Sequence, residues 1–214
     1  MHAEPDHTEA VSHLRAADGV MAGIIARVGP CKLGSTTDRG GRAHDHYGAL
    51  VRSIVGQQLS THAARRIYER LADRYGGRTP TPAEVLADEP DRMREAAGLS
   101  RAKVAFLRDL AGRIDAGELV LEELDELPDE EVADRLMAVK GIGQWTVDMF
   151  LIFHLGRPDV LPVGDLGLRR AAMNEYRLRR LPSPRRFIEL ARPWRPWRSV
   201  ASWYLWASLR NIPA

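Results

Sequence analysis

Apolar residues recur every three or four positions along most of the chain, which is the spacing of one face of an α-helix. One stripe runs from Tyr47 to Val55 and predicts a helix that ends near Gly56, and a second runs from Ala64 to Tyr75. No segment alternates apolar and polar residues in the manner of a half-buried strand. The pattern therefore predicts an all-α fold.

Residues that cap helix N-termini stand where several of these stripes begin. Ser60 precedes the second stripe, Thr81 and Glu84 have the spacing of a capping box, and Ser100 precedes a longer helix. A further helix is expected over 129–138. An N-terminal helix near 8–28 is expected to join the rest through a loop over 29–46.

The composition is that of a globular protein. Hydrophobic residues make up 44% of the 214 residues and charged residues 28%, and no apolar run approaches the roughly 20 residues that span a bilayer. The N-terminal segment carries acids and histidines where a secretory signal has an apolar stretch. Cys31 is the only cysteine, which excludes an internal disulfide and a cysteine-liganded iron–sulfur cluster. We therefore expect a cytoplasmic protein without a membrane partner.

Basic residues are concentrated towards the C-terminus. The formal net charge is only +2, so total charge says little about a nucleic-acid partner. Most acids lie within 84–134, whereas arginines dominate after Arg157. This asymmetry fits a basic face for nucleic acid or a solvated helix surface, and charge by itself leaves both open.

Two glycines separate the helix expected over 129–138 from the next helical stretch. The segment Val139-Lys140-Gly141-Ile142-Gly143 predicts a tight turn with positive backbone angles at both glycines and with Ile142 pointing into the core. The amides of the glycines and of the next turn would then be bare at a helix N-terminus, where phosphate oxygens bind. A G-x-G turn alone is weak evidence. The full pattern L-x-x-[VL]-x-G-I-G before a helix, however, resembles the helix-hairpin-helix motif of DNA-binding proteins.

An aspartate follows this hairpin. Asp165 stands twenty-two residues after Gly143 and directly before a helix expected over 166–177, where its local role would be that of an N-cap. The hairpin and this aspartate together resemble the helix-hairpin-helix base-excision DNA glycosylases. The segment Gly56–Ser60 and the tryptophan-rich stretch 193–206 resemble the DNA-3-methyladenine glycosylase II branch, and the resemblance covers about residues 45–210.

The resemblance implies one glycosylase domain over 1–214, built from two helical lobes with a cleft. The central lobe would span about 47–160 with the hairpin at 139–143. The second lobe would consist of the N-terminal helix and about 161–214.

Several positions distinguish this chain from neighbouring branches of the superfamily. Trp145 stands where the bifunctional glycosylase/lyases carry their Schiff-base lysine, so lyase chemistry has no nucleophile. The cysteine cluster of two other branches is absent, and the chain is too short for the N-terminal β-rich domain of longer alkylation-repair enzymes. Met149 occupies a position that is often aromatic in the base pocket of those enzymes.

The resemblance also implies roles for individual residues. Asp165 would be the catalytic carboxylate, whereas the competing acid Asp148 is expected to be a surface or helix-contact residue. Aromatic side chains attract a cationic base, although tryptophans of small helical proteins commonly lie in the core. The substrate-binding candidates are Trp145, Trp206, Met149, Trp203 and Tyr204.

The DNA-binding candidates are Gly141, Gly143, Thr146, Lys140, Gln57, Gln58 and Leu59. Gln58 is preferred as the wedge that fills the space of a flipped base, and a polar linker is the alternative for this turn. The backbone carbonyls of Met137, Val139 and Ile142 would hold a structural Na⁺ or K⁺, and no cofactor is required.

The expected function is that of a monomeric, monofunctional glycosylase that excises alkylated purines of the 3-methyladenine and 7-methylguanine type from double-stranded DNA in base excision repair. Two alternatives stay open. One is a non-catalytic helix-hairpin-helix DNA-binding module, and the other is a glycosylase for a different base, such as adenine or an oxidised purine.

Overall fold

The structure, a computed structural model, describes residues 6–35 and 45–210, apart from the side chain of Arg210. This part of the chain contains twelve α-helices, two short 3₁₀ helices and no strand, which confirms the all-α prediction. Residues 36–44 of the expected loop lie outside the described residues. The α-helices are α1 (Thr8–Ala17), α2 (Gly19–Val28), α3 (His46–Gly56), α4 (Thr61–Asp73), α5 (Pro82–Ala87), α6 (Pro90–Ala97), α7 (Arg101–Asp115), α8 (Asp129–Met137), α9 (Gln144–Phe153), α10 (Leu166–Glu175), α11 (Pro184–Leu190) and α12 (Arg198–Arg210).

The chain divides into two compact units. One takes in Met1–Arg42 and Leu151–Ala214, and the other is Ala43–Phe150. The division falls within α9, earlier than the boundary near residue 160 that the sequence led us to expect. None of the helices in the described ranges combines the length and the apolar character needed to cross a membrane.

In the unit 43–150, helix α7 packs against α3, α5 and α6, and α4 packs against α3 and α6. Their apolar faces meet in a core where Leu50, Ile54, Leu107 and Leu110 have no exposed surface. Burial of each such side chain contributes roughly 1.5–3 kcal/mol. This core holds α7 in place, and α7 carries the residues that support the hairpin.

In the other unit, α12 packs against α2 and α10, and α1 packs against α2. The single helix expected near 8–28 is wrong, because Asp18 takes an extended conformation between α1 and α2 and its side chain caps α2. The same carboxylate accepts hydrogen bonds from Trp194 Nε1 (2.9 Å) and from the Tyr176 hydroxyl (2.5 Å). Burial, and then the bond to Asp18, raise the pKa of Tyr176 well above its ordinary value. The break between α1 and α2 comes from the local cap bonds of Asp18 to the amides of Val20 and Met21, and the tertiary contacts fix the position of its side chain.

The capping residues read from the sequence behave as expected. Ser60 and Ser100 accept hydrogen bonds from the first turns of α4 and α7, and Thr81 and Glu84 form both bonds of a capping box. Asp165 caps α10, which ends at Glu175 rather than near 177.

Candidate functional site

A left-handed glycine turns the chain between α8 and α9. Gly141 has φ +81°, a conformation that costs other residues about 1–2 kcal/mol. A Cβ added to Gly141 would lie 2.2 Å from Cδ2 of Phe106 on α7, so the Phe106 ring occupies the space that a side chain would need. Ile142 is 5% exposed, which confirms that it anchors the turn to the core.

The second glycine differs from the prediction. The φ of Gly143 is not positive, and a Cβ added there would meet no atom within 4 Å. Its carbonyl accepts hydrogen bonds from the amides of Thr146 and Val147 (2.9 and 3.1 Å), so the expectation of bare amides throughout the next turn is wrong. Gly143 therefore leaves open space beside the turn rather than permitting a special backbone angle.

Three main-chain amides of the hairpin have no hydrogen-bond acceptor among the described residues. Within the described part of the chain, the N–H groups of Gly141, Gly143 and Gln144 donate to no protein acceptor. They lie at or just before the N-terminus of α9, where the helix dipole is positive. Amides in this arrangement suit an anion, in particular a phosphate oxygen.

A carboxylate of α7 supports the hairpin from the side. Asp109 accepts a hydrogen bond from the Lys140 amide (2.9 Å) and lies 3.5 Å from Lys140 Nζ, and it also pairs with Arg113. Burial favours protonation of Asp109, but the bonds from Lys140 and Arg113 outweigh it and lower its pKa. The sequence reasoning missed Asp109 and Phe106, because nothing local marks a partner about 30 residues away in the chain.

The turn between α3 and α4 is tied to the hairpin. Gln57 Nε2 donates to the carbonyl of Gly141 (2.7 Å), and Lys103 Nζ donates to the Val55 carbonyl at the end of α3 (2.7 Å). Partial burial lowers the pKa of Lys103. Gln58 follows with φ +59°, and Leu59 is 38% exposed. Gln57 thus positions the turn, and Gln58 and Leu59 lie at its tip.

The side chains of the hairpin and α9 that are expected to contact DNA or the damaged base differ in their burial. Trp145 is 46% exposed, whereas Thr146 is 5% exposed and its amide already binds the Gly143 carbonyl. Thr146 is therefore largely buried in the protein without DNA, and its contact with DNA stays a prediction. Met149 is partly buried. Asp148 is 5% exposed and accepts a hydrogen bond from Gln144 Nε2 of the same helix (2.8 Å), so of its two expected roles it has the helix contact and not the surface position.

In the other unit, two N–H donors hold the Asp165 carboxylate. Its Oδ1 accepts from the Leu168 amide (2.6 Å), which is the N-cap bond, and from Trp206 Nε1 (3.1 Å). The Trp206 ring lies 5.8 Å from that of Phe153, centroid to centroid. The structure thereby assigns Trp206 a positioning contact that the sequence did not indicate. Capping and catalysis are compatible, since the cap fixes the orientation of the carboxylate.

The remaining aromatic candidates lie on α12. Tyr204 has no exposed surface, and its hydroxyl donates to the Gly29 carbonyl (3.0 Å). Tyr204 is therefore part of the core, and its expected role in substrate binding is corrected. Trp203 is partly exposed and makes an edge contact with the Tyr204 ring.

These features define a helical protein of the helix-hairpin-helix class, with open amides at the hairpin and an aspartate at the start of a later helix. Residues 51–196 match the family model of the HhH-GPD superfamily base excision DNA repair proteins. The chain belongs to this superfamily.

Relatives within the superfamily confirm the resemblance to the 3-methyladenine glycosylases. The chain is 34% identical over 201 residues to DNA-3-methyladenine glycosylase 1 of Schizosaccharomyces pombe, covering 93% of this chain and 86% of that one. The solved structure of the 3-methyladenine DNA glycosylase Mag1 of the same organism, in complex with abasic DNA, matches with a TM-score of 0.85 and 32% identity over 96% of this chain and 98% of that one. A DNA-3-methyladenine glycosidase from Bacillus halodurans matches with a TM-score of 0.82 and 34% identity, covering 94% and 89% of the two chains.

Proposed function

We propose that this protein is a monofunctional DNA glycosylase that removes alkylated purines, of the 3-methyladenine and 7-methylguanine type, from double-stranded DNA by hydrolysis. The observation that carries the proposal is the Asp165 carboxylate, held by two N–H donors in a chain whose relatives are 3-methyladenine glycosylases. A DNA-binding module without catalysis could use Asp165 as the N-cap of α10, but it needs neither the negative charge nor the second bond, from Trp206, that orients the carboxylate.

The hairpin binds the DNA backbone in this proposal. The amides of Gly141, Gly143 and Gln144 donate to phosphate oxygens at the positive end of α9, and this contact is independent of base sequence. Lys140, whose side chain is 73% exposed, adds positive charge close to the same turn.

The hairpin carbonyls also fit a structural alkali ion. The carbonyl oxygens of Met137 and Ile142 accept no hydrogen bond within the described residues, and that of Val139 accepts one from the Ile142 amide (3.1 Å). These three oxygens would hold Na⁺ or K⁺, which prefer oxygen donors. When bound, the ion supplies positive charge beside the phosphate site.

The Asp165 carboxylate performs the chemistry. A purine alkylated at N3 or N7 is cationic while it is attached to the sugar. It takes the electron pair of the glycosidic bond and leaves as a neutral base, so its departure needs little general-acid help, and positive charge develops on the sugar. A carboxylate near the anomeric carbon stabilises that charge, as preorganised electrostatics do in many enzymes. Asp165 also orients the attacking water and accepts its proton as the carbon–oxygen bond forms and the glycosidic bond breaks.

The base must leave the stack before this step. Flipping costs a few kcal/mol, less for a damaged base. Gln58 or Leu59, at the tip of the α3–α4 turn, fills the vacated space. The exposed ring of Trp145 offers a stacking surface for a cationic base, worth roughly 0.5–2 kcal/mol.

The proposal includes no lyase step. Trp145 has no amine to attack the sugar, so no covalent Schiff base forms at this position. Methylated duplex DNA treated with the protein should therefore contain abasic sites in unbroken strands, and these strands should break only after alkali is added.

The test compares the wild-type protein with Asp165→Asn and Asp165→Ser on methylated duplex DNA, with released bases resolved by chromatography. Asn and Ser both cap helices, so folding is retained while the carboxylate is lost. We expect base release to fall by about a hundredfold or more, with duplex affinity preserved. Asp115→Asn, at an exposed acid on α7, is the matched control and should retain activity.

Three results would contradict the proposal. Full base release by Asp165→Asn would remove Asp165 from catalysis. Duplex binding without release of any base by the wild-type protein would identify a binding module. Release of adenine or an oxidised purine, but of no alkylated base, would establish a different specificity.

A further inference from the structure

Arg177 lies in a backbone conformation that suits glycine. Only two non-glycine residues of the described chain have positive φ, and they are Gln58 and Arg177 (φ +51°). The amide of Leu178 donates to the Met173 carbonyl (2.9 Å) and that of Arg177 to the Asn174 carbonyl (3.2 Å). This is the Schellman arrangement that ends many helices, and its left-handed position is usually glycine. Residues with strained backbone angles cluster at functional sites, so the arginine at this position raises the question of a role for its side chain.

In the part of the chain that the structure describes, no bonding partner accounts for the Arg177 side chain. Arg177, Arg179 and Arg180 are exposed, and within the described residues none of them forms an ion pair or a side-chain hydrogen bond. Arg169 differs, since its Nε donates to the Pro182 carbonyl (2.8 Å) and ties the loop to α10. We call Arg177, Arg179 and Arg180 the arginine turn.

The charge around the arginine turn is strongly positive. Residues 166–190 contain seven arginines and two glutamates. Glu175 is paired with Arg27 (2.6 Å), and Glu189 lies within 4 Å of two arginines of α11. The acids of this segment are therefore engaged elsewhere, and within the described residues no acid forms an ion pair with the arginine turn, so its positive charge can meet an external anion.

We propose that the arginine turn is a second phosphate-binding surface for duplex DNA, in addition to the hairpin amides. This inference rests on the proposed function, since it assigns a further contact to the same DNA partner. Guanidinium groups donate paired hydrogen bonds to phosphate, and contacts of this type are independent of sequence. The alternative is that Arg177 stabilises the C-terminus of α10 through the helix dipole, and the two roles predict opposite effects on stability.

The experiment replaces Arg177 by asparagine, which tolerates the left-handed conformation, and measures affinity for an undamaged duplex at several salt concentrations. Loss of one phosphate contact should reduce the slope of log K against log salt by about 0.9, and affinity at 0.1 M salt by about five- to tenfold. The melting temperature should stay unchanged or rise by up to about 3 °C. Adding Arg179→Gln and Arg180→Gln should remove about two to three from the slope.

Arg15→Asn provides the matched control. Arg15 is an exposed arginine of α1 in the same unit and has no ion pair within the described residues, so its replacement changes net charge by the same amount. We expect its salt slope to equal that of the wild type.

Three outcomes overturn the inference: an unchanged slope for Arg177→Asn, an equal loss of slope for Arg15→Asn, or a fall in melting temperature of more than about 3 °C, which would assign Arg177 to the helix end. Failure of the proposed function is distinguishable from all three. It would show as absent base release by the wild type, whereas the slope is measured on undamaged DNA.

Discussion

Replacement of Gly143 by alanine adds one methyl group to the face of the hairpin where we propose that phosphate binds. The added Cβ meets no protein atom within 4 Å, and the φ of Gly143 is not positive. The free energy of unfolding should therefore stay unchanged or rise by up to about 1 kcal/mol, because alanine reduces the entropy of the unfolded chain. If this variant binds DNA more weakly, the cause is therefore the methyl group that stands in the way of the phosphate, because the fold of the protein is unchanged.

The expected loss of affinity follows from the amides beside that methyl group. A hydrogen bond to a charged partner contributes about 1.5–3 kcal/mol, so displacement of one phosphate oxygen should raise Kd by about tenfold to a hundredfold. Fluorescence anisotropy with labelled duplexes measures this change. The loss should be equal for undamaged and damaged DNA, since the contact carries no base information.

Gly141→Ala serves as the contrasting variant. Its Cβ would collide with Phe106, and its φ of +81° strains alanine, so we expect a loss of about 2–4 kcal/mol in stability. Weak binding by Gly141→Ala would reflect a damaged turn. If Gly143→Ala folds and binds every duplex as the wild type does, or binds normally with an altered base preference, the phosphate-binding role of the hairpin is refuted.

Three further variants test other parts of the site. Trp206→Phe keeps an aromatic side chain but removes the N–H donor to Asp165 (3.1 Å), so kcat should fall by about tenfold with KM little changed; an unchanged kcat would show that this bond does not position the carboxylate. Gln58→Gly removes the strain of a non-glycine residue in the left-handed conformation, so the urea concentration at the unfolding midpoint should not fall. Single-turnover base release should slow, and a rate equal to that of the wild type would exclude Gln58 as the wedge. The bond from Arg74, then that from a neighbouring tyrosine, hold the pKa of Asp88 at about 2 against burial. Because this folded pKa lies below the unfolded value, the stabilisation of about 2 kcal/mol is complete above about pH 4 and is lost as the pH falls towards 2. The free energy of unfolding of Asp88→Asn should thus be lower than that of the wild type at pH 7 and equal to it near pH 2. A difference between the two proteins that stays constant from pH 7 to pH 2 would contradict the assignment.

The sequence predicted the parts of this protein that depend on neighbours within a turn or two of helix. Helical periodicity located α3, α4 and α7, and the hydroxyl residues Ser60 and Ser100 marked the starts of α4 and α7. The hairpin glycines and Asp165 were found in the same way, because turns and caps are encoded in a few consecutive residues.

The sequence reasoning failed in two ways. It overlooked the local cap at Asp18, whose carboxylate accepts hydrogen bonds from the amides of Val20 and Met21 and so divides the expected N-terminal helix. It also placed Tyr204 at the site by motif position, and packing buries that residue. Periodicity shows that a face is apolar, but it does not show which neighbour covers a given side chain.

The local sequence determined the helices, the hairpin and the capping aspartate, because periodicity and capping act over a few residues. Only the tertiary structure decided which residues hold these features in position. Phe106 and Asp109 of α7 contact the hairpin, Gln57 donates to the Gly141 carbonyl, and Trp206 donates to Asp165. Each of these contacts joins residues about 30 to 80 positions apart. Their geometry exists only after the helices have packed, since burial of the apolar faces sets the distances between the polar groups.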